Sequence, residues 1–581
     1  MDAAQAPSQS TAARHFLDGL TELGVEYLFA NLGTDHVSLI EELADWPAER
    51  RPQVMLVPHE NVAMHMAAGY AMATGRGQAV LVHVDAGTAN AAMAAHNLFR
   101  TRLPVLLMAG RAPFALHGEL PGARDNYVHY VQDPFDIGSV VRPYMKWEYA
   151  LPSGYVAKEA LRRAHSVMHS NPPGPVYMTL PREVLAEAVD DSRIRSFPEE
   201  GYGPVRAGGA APAAAEAIAG ALMAAERPVA VTSYLGRNRA APGVLDRLAR
   251  LTGLRVVEAN PTVLNIPRDS PCFAGFEAGS ALEGADLGLL LDVDVPFLHG
   301  QAPGAANLRW LQVDMDAGKR DFPMWGFRAD LRLEADTAVV LQQVLDACEA
   351  RADGAFRARA AERLSRLEAE AEKRRARAAA SAVQPGTSGA LAPDHVCAAI
   401  ARQLRPEDIV VNEAIRNAPA VMNQTGRTRP GTYFTNAGGG LGFSGGAALG
   451  LRLAHPGQRV VQIVGDGSFH FSAPDAVFAA AQQHRLPFLS VVLDNRGWSA
   501  VKQATLRVYP AGRAAATDRF AAVLDTGQQG DTRRFDLLAA ALGAHGEYVE
   551  DAAELDAAIA RALAAVDGGR AACVHVRVAP L

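Results

Sequence analysis

The stretch from Ile463 to Gly497 constrains this chain more than any other. Two apolar runs, Val460 to Val464 and Phe488 to Leu493, bracket a mixed helical segment. Runs apolar on both faces read as buried parallel strands. Each ends in an oxygen-rich turn: Gly465-Asp466-Gly467-Ser468 after the first, Asp494-Asn495-Arg496-Gly497 after the second. If the strands are neighbours, Asp466 and Asn495 emerge at one carboxyl edge, where open α/β sheets bind ligands. A carboxylate, an amide oxygen and a main-chain carbonyl suit a hard cation such as Mg²⁺, which completes its shell with phosphate oxygens and water. The N–H groups of Gly467 and Ser468 are placed to point at phosphate.

The rest of the chain repeats the same alternation. A helix over Ala12 to Leu23 precedes strands at Tyr27 to Ala30, Val54 to Val57, Ala79 to Val84 and Pro104 to Ala109, with a helix over 61–73. After a polar, Pro/Gly-containing segment at 191–204, further strands are expected at Val229 to Ser233, Arg255 to Glu258, Leu287 to Leu291 and Trp310 to Val313. A charged helix over 351–378 and a second linker at 382–391 lead to a third set. This order predicts an α/β chain of three tandem, doubly wound parallel-sheet domains, at 12–190, 205–350 and 390–581.

Composition excludes several classes. The net charge is −7 and no Lys/Arg block stands out, so nucleic acid is not an expected partner. The cysteines (Cys272, Cys348, Cys397, Cys573) show no CxxC pairing. That argues against a disulfide scaffold or a zinc site and fits a reducing cytosol. No apolar run approaches the roughly 18 residues of a membrane helix. The start, MDAAQAPSQSTAARHF, lacks a basic head followed by an apolar core. No secretory signal and a cytoplasmic location are therefore expected.

A GDG turn (465–467), 26 further residues (468 to 493, beginning with Ser468) and then Asp494-Asn495 resemble the thiamin diphosphate (ThDP) motif, which ends in Asn-Asn. On this likeness the chain is similar to ThDP-dependent enzymes of the acetolactate synthase and pyruvate decarboxylase superfamily. The resemblance implies pyrimidine-binding, central and diphosphate-binding domains in that order. It implies Mg²⁺ ligands Asp466, Asn495 and the Gly497 carbonyl, with Gly465, Gly467 and Ser468 at the diphosphate. Pro58-His59-Glu60-Asn61, between a strand and an Ala-rich helix, looks like the segment bearing the family's cofactor-activating glutamate, here Glu60. Such a carboxylate, bonded to N1′ of the aminopyrimidine, favours the imino tautomer. The 4′ nitrogen can then remove the weakly acidic C2 proton within the cofactor itself. The stretch Ala437-Gly438-Gly439-Gly440-Leu441-Gly442-Phe443 resembles the segment that bends the cofactor. Leu441 matches the wedge beneath the rings, and the Gly439 carbonyl matches the acceptor of the 4′-amino group. In this family the glutamate-bearing domain of one subunit meets the diphosphate-bearing domain of another. A homo-oligomer with active sites at the dimer interface, a homotetramer built as a dimer of dimers, is the expectation.

The detailed likeness is to the benzoylformate decarboxylase branch. His83, in Val82-His83-Val84-Asp85, and His299, in Phe297-Leu298-His299-Gly300, match its two catalytic histidines. Thr34, in Asn31-Leu32-Gly33-Thr34, matches its catalytic serine, and Asn31 and Gly33 fall among the expected cofactor contacts. A histidine near pKa 6.5 suits protonation of the carbon left by decarboxylation. Ile415-Arg416 stand where the branch has the Thr-Ser pair at the diphosphate, so Arg416 could meet diphosphate or an acidic substrate group. Trp498 follows the metal loop and narrows the expected pocket. The central domain shows no dinucleotide fingerprint, so FAD is not expected. No basic tail suggests a nucleotide thioester substrate. These readings predict a ThDP- and Mg²⁺-dependent non-oxidative 2-oxo acid decarboxylase, a C–C lyase with carboligase side activity. The alternative is an acetolactate synthase-like carboligase joining two 2-oxo acids. A third reading is a non-catalytic binding subunit on the same fold.

Overall fold

The computed structural model describes residues 8–47, 49–523 and 533–580. Its first sheet comprises β1 (Tyr27–Ala30), β2 (Gln53–Leu56), β3 (Gln78–Val82), β4 (Val105–Arg111), β5 (Glu148–Ala150) and β6 (Val176–Pro181). The interior strands β3 and β6 are buried along their whole length. All pairings are parallel, in the order β2-β1-β3-β4-β6-β5. The second sheet holds β7 (Pro228–Thr232), β8 (Arg255–Glu258), β9 (Leu287–Leu291), β10 (Arg309–Asp314) and β11 (Leu331–Glu334). It is also parallel, in the order β8-β7-β9-β10-β11. The third sheet comprises β12 (Ile409–Glu413), β13 (Tyr433–Phe434), β14 (Val460–Gly465), β15 (Leu489–Asp494), β16 (His545–Val549) and β17 (Ala572–Arg577). Its parallel order, β13-β12-β14-β15-β17-β16, repeats that of the first sheet strand for strand.

Every strand named from the sequence is present, its ends shifted by no more than two residues. Of those not anticipated, β6, β12 and β17 are buried runs like the rest. By contrast, β5, β11, β13 and β16 lie at sheet edges. The charged helix begins at Gly354 and runs to Ala382, so it enters the segment expected to be linker. Gly386–Thr387 and Ala390–Leu391 then form a small antiparallel ribbon.

The first and third sheets share a core through two helices, α1 (Glu60–Thr74) and α3 (Ser444–Ala454); α2 (Val84–Thr101) packs beside α1. Glycines let α1 and α3 touch backbone to backbone. A Cβ on Gly450 would lie 2.0 Å from the Met66 carbonyl oxygen, and one on Gly69 2.2 Å from that of Ala447. Val62, Met66, Ala447 and Leu451 join Phe29 of the first sheet and Ile409 of the third in one apolar cluster.

The central domain is tied on by charge. Arg102, at the end of α2, grips Asp294 with both terminal nitrogens, at 3.0 and 2.8 Å, and reaches Asp316 at 2.8 Å. The buried Lys319 contacts Asp314 at 2.7 Å, Asp294 at 2.9 Å and the Tyr234 hydroxyl at 2.6 Å. Among the described residues no helix is long and apolar enough to cross a membrane.

Because the Gly450 contact is with backbone, a side chain there cannot be relieved by a rotamer change. Gly450→Val should lower stability by about 1–3 kcal/mol, read as a lower urea midpoint.

Candidate active site

Strands β14 and β15 are direct neighbours, with Gly465 opposite Leu493. Asp466 and Asn495 therefore leave the same carboxyl edge side by side, as the sequence implied. The Asn495 side-chain oxygen stands 2.7 Å from the Gly497 carbonyl oxygen and 3.2 Å from Asp466 Oδ1. Neighbouring oxygens of an octahedral Mg²⁺ shell, with bonds of about 2.1 Å, are about 3 Å apart. The Asn495 oxygen has that spacing from each of the other two. Turned over, the amide donates N–H to the same two oxygens and accepts from the Ser499 hydroxyl, which satisfies both of its ends. The oxygen-inward orientation is the one that would serve a cation. The second Asp466 oxygen, Oδ2, is buried without a hydrogen bond among the described residues. The Arg533 guanidinium lies 3.6 Å from it and 3.7 Å from Asp494 Oδ1. Burial, then the neighbouring Asp494 charge, push the Asp466 carboxyl up to about 7. The residues fit a hard cation and the diphosphate it would carry.

Asp494, which stands for the family's first Asn, faces inward. It accepts hydrogen bonds from His575 Nε2 at 2.9 Å, from Arg577 and from the Arg496 N–H at 2.9 Å. Burial works against its ionisation. The His575 hydrogen bond and the Arg577 charge overcome that and hold the carboxyl well below its usual range. It anchors the Asn495 loop to β17.

The glycine stretch is clamped from two sides. Asn97 of α2 accepts the Gly440 N–H at 3.0 Å and donates to the Gly440 carbonyl at 3.0 Å and to His65 Nε2 at 3.2 Å. From below, Glu413 at the end of β12 accepts N–H groups from Gly442 at 2.6 Å, Phe443 at 3.3 Å and Ser444 at 2.9 Å, and the Ser444 hydroxyl at 2.5 Å. A carboxylate at the start of α3 satisfies donors the helix cannot use itself. Burial nevertheless pushes the Glu413 carboxyl up to about 7. Between the clamps Gly439 is left-handed (φ +74°), with nothing within 4 Å of where a Cβ would be. Leu441 beside it is half-buried.

Glu60 opens α1 and is 9% exposed. Its Oε2 accepts from Asn90 of α2 at 3.1 Å. Its Oε1 faces the bare backbone of Gly87, where a Cβ would sit 3.3 Å away. At the same sheet edge His83 is held at both nitrogens: Nδ1 lies 2.5 Å from Asp35 Oδ1, and Nε2 lies 2.9 Å from Gln132 Oε1. The Asp35 hydrogen bond raises the His83 pKa despite burial. Thr34 is exposed, its hydroxyl 3.4 Å from His129 Nε2. Asn31 stitches β1 to its neighbours, donating its side-chain N–H to Val57 O at 3.1 Å.

Not every expected residue joins these groups. Ile415 and Arg416 are exposed just past β12. His299 is exposed on a turn after β9, its ring stacked on Phe327 at 4.9 Å. Trp498 packs against Gly467, where a Cβ would meet its ring at 2.8 Å. Left-handed backbone at non-glycine residues marks three strand ends of the site: Val84 (φ +28°), Ile415 (φ +40°) and Arg496 (φ +70°). Such strain costs about 1–3 kcal/mol per residue and gathers at functional sites. Asp35, His36, His129, Gln132, Asn97 and Glu413 were missed as site residues. The available signal was a polar, His-containing pair of loops at strand ends.

Two family models match this architecture. One, described as "Thiamine pyrophosphate enzyme, N-terminal TPP binding domain", covers residues 10–140, and the corresponding C-terminal TPP binding domain covers 417–576. The chain belongs to the thiamine pyrophosphate enzymes. Glu60 and His83 fall in the first match and Gly439, Asp466 and Asn495 in the second, while Ile415, Arg416 and His299 lie between them. Benzoylformate decarboxylase of Pseudomonas aeruginosa is 27% identical over 490 residues, 82% of this chain and 85% of that protein. The acetolactate synthase large subunit of Haemophilus influenzae is 23% identical over 532 residues, 87% of this chain and 86% of its own length. The crystal structure of benzoylformate decarboxylase from Polynucleobacter necessarius superposes with a TM-score of 0.76 at 20% identity, covering 98% of both chains.

Glu413→Ala would strand buried donors at the start of α3. It should cost about 3 kcal/mol or more by urea denaturation and weaken ThDP retention. Glu413→Gln, which still accepts, should lose less of both.

Proposed function

We propose that this thiamine pyrophosphate enzyme is a Mg²⁺-dependent, non-oxidative 2-oxo acid decarboxylase. The observation that carries the reading is His83, whose two ring nitrogens both face acceptor oxygens at the edge that also presents Glu60. A ring held in this way donates protons. A proton donor favours release of an aldehyde over joining to a second oxo acid. Bound ThDP supplies the electron sink that allows a C–C bond at a carbonyl carbon to break.

The chain's own groups do the rest. Asp466, Asn495 and the Gly497 carbonyl hold Mg²⁺, and Gly465, Gly467 and Ser468 line the diphosphate. Arg416 and Ile415 border it. The Glu60 carboxylate, steadied through Oε2 by Asn90, leaves Oε1 to accept a proton. Gly439 and Leu441, clamped by Asn97 and Glu413, shape the bend. Thr34 orients the substrate carboxylate and His83 delivers a proton from Nε2, while His299, on an exposed turn of the central domain, takes no step. Asn31 and Gly33 shape the loop that carries Thr34.

The site is completed by a second copy of the chain. Exposed Phe114, Tyr127, Tyr130 and Phe135 beside the first sheet, and Trp498, Val501 and Tyr509 beside the third, support a covered face there. Large apolar side chains gathered in this way are what an interface buries.

The test is CO₂ release and product identity from pyruvate and from branched, aromatic and acidic 2-oxo acids, with ThDP and Mg²⁺ added. A simple aldehyde from one class is expected. A 2-hydroxy acid of acetolactate type would replace this reading with the carboligase, and silence across the panel would remove it. Glu60→Gln should retain ThDP while losing on the order of 10²-fold or more in rate. Asp466→Asn should lose Mg²⁺-dependent ThDP binding, measured as loss of the quenching of tryptophan fluorescence on adding the cofactor.

A further inference from the structure

Asp35 is 1% exposed and occupies space that two glycines leave for it. A Cβ on Gly110 would lie 1.5 Å from Asp35 Oδ2, and one on Gly33 2.0 Å from His83 Nδ1 and 2.6 Å from Asp35 Oδ1. The carboxylate and the imidazole are therefore built as a pair. Oδ1 meets His83 Nδ1 at 2.5 Å, while Oδ2 accepts the Val84 N–H at 3.3 Å and lies 3.2 Å from His36 Nε2. His36 is fully buried and its Nδ1 accepts the Gly33 N–H at 3.0 Å. Its one proton is thus on Nε2, and burial lowers its pKa, so it stays neutral. The charge opposite Asp35 falls to His83.

The groups facing this pair come from three elements. Asp35 and His36 belong to the loop after β1, and Asp85 to the first turn of α2. His129 sits in the segment after β4, beside Asp125, which Arg182 holds at 3.0 and 2.9 Å. His129 is kept toward its neutral form by burial and by Arg182. Gln132 brings an uncharged oxygen to Nε2.

We infer that Asp35 is a positioning residue for the reaction: it grips His83 by Nδ1–H, keeps the ring as imidazolium and leaves Nε2–H, covered by Gln132 Oε1, as the proton to be given away. The inference rests on the proposed role of His83 at the reacting carbon. The balance is simple. The proton leaves Nε2 and forms the C–H bond of the aldehyde; the neutral ring keeps Nδ1–H on Asp35 and regains a proton at Nε2 from water. Asp35 stays ionised throughout. The net reaction consumes one proton per CO₂ released, and this pair is its port of entry.

The test combines a titration with a rate profile on the holoenzyme. Isotope-labelled histidine is followed by NMR against pH, with His83→Ala identifying the resonance. Wild-type His83 should titrate above the ordinary histidine value of about 6.5. Asp35→Asn should lower that titration by about one pH unit or more. The same variant should move the alkaline limb of kcat/KM down by a matching amount, with activity recovered at acid pH where the ring is protonated again. A wild-type His83 that titrates below the ordinary value overturns the inference without any variant. So does an Asp35→Asn resonance that does not move. So does a moved resonance with the alkaline limb in place and activity lowered equally at every pH, since Asp35 would then be structural only. If no 2-oxo acid is turned over, the failure is that of the proposed function, and the titration alone still decides the Asp35–His83 pairing.

Discussion

The backbone contact between α1 and α3 is what the remaining geometry depends on. Gly69 and Gly450 remove the side chains that would hold the two helices apart. One helix begins with Glu60, and the other begins at the end of the glycine stretch that Glu413 caps. Their close approach therefore fixes the first sheet against the third. Asn97 extends the link, since a side chain from the first domain carries both hydrogen bonds of Gly440. Residues over three hundred positions apart are thereby one mechanical unit.

The two outer sheets share a strand order but carry different chemistry at their carboxyl edges. The third edge gathers the Asp466 carboxyl, the Asn495 amide and the Gly497 carbonyl. The first edge gathers carboxyl and imidazole side chains: Glu60, His83, Asp35 and His36. The same α/β edge serves both because loops after parallel strands converge there whatever they contain. The central sheet contributes through Arg102 and Lys319, whose buried partners cannot be separated without leaving a charge unmatched in the interior.

Interior strands were legible because burial on both faces writes a continuous apolar run, as in β14 and β15. Edge strands such as β5 and β11 are half-exposed, and no run marks them. Asp466 and Asn495 were legible for the same reason as the strands they terminate. His299 and Arg416 were named through resemblance alone, and both lie exposed on turns. Asp35 could not be read from the sequence as a site residue, because its meaning comes from Gly110, on a different strand, and from His83, on a different loop. Glu413 was not singled out, since its strand was not anticipated and its four donors lie some thirty residues later. Local pattern gives elements; partners brought together by topology give chemistry.

The anchoring of Asp494 has a consequence for the order of assembly. Its partners His575 and Arg577 lie on β17, which sits between β15 and β16 yet is the last of the described strands in the chain. While the protein is being synthesised, the loop carrying Asn495 exists long before the strand that steadies it. A chain that has already buried its first two sheets still lacks the partners of Asp494, so the turn after β15 takes its final form only when β17 pairs beside it.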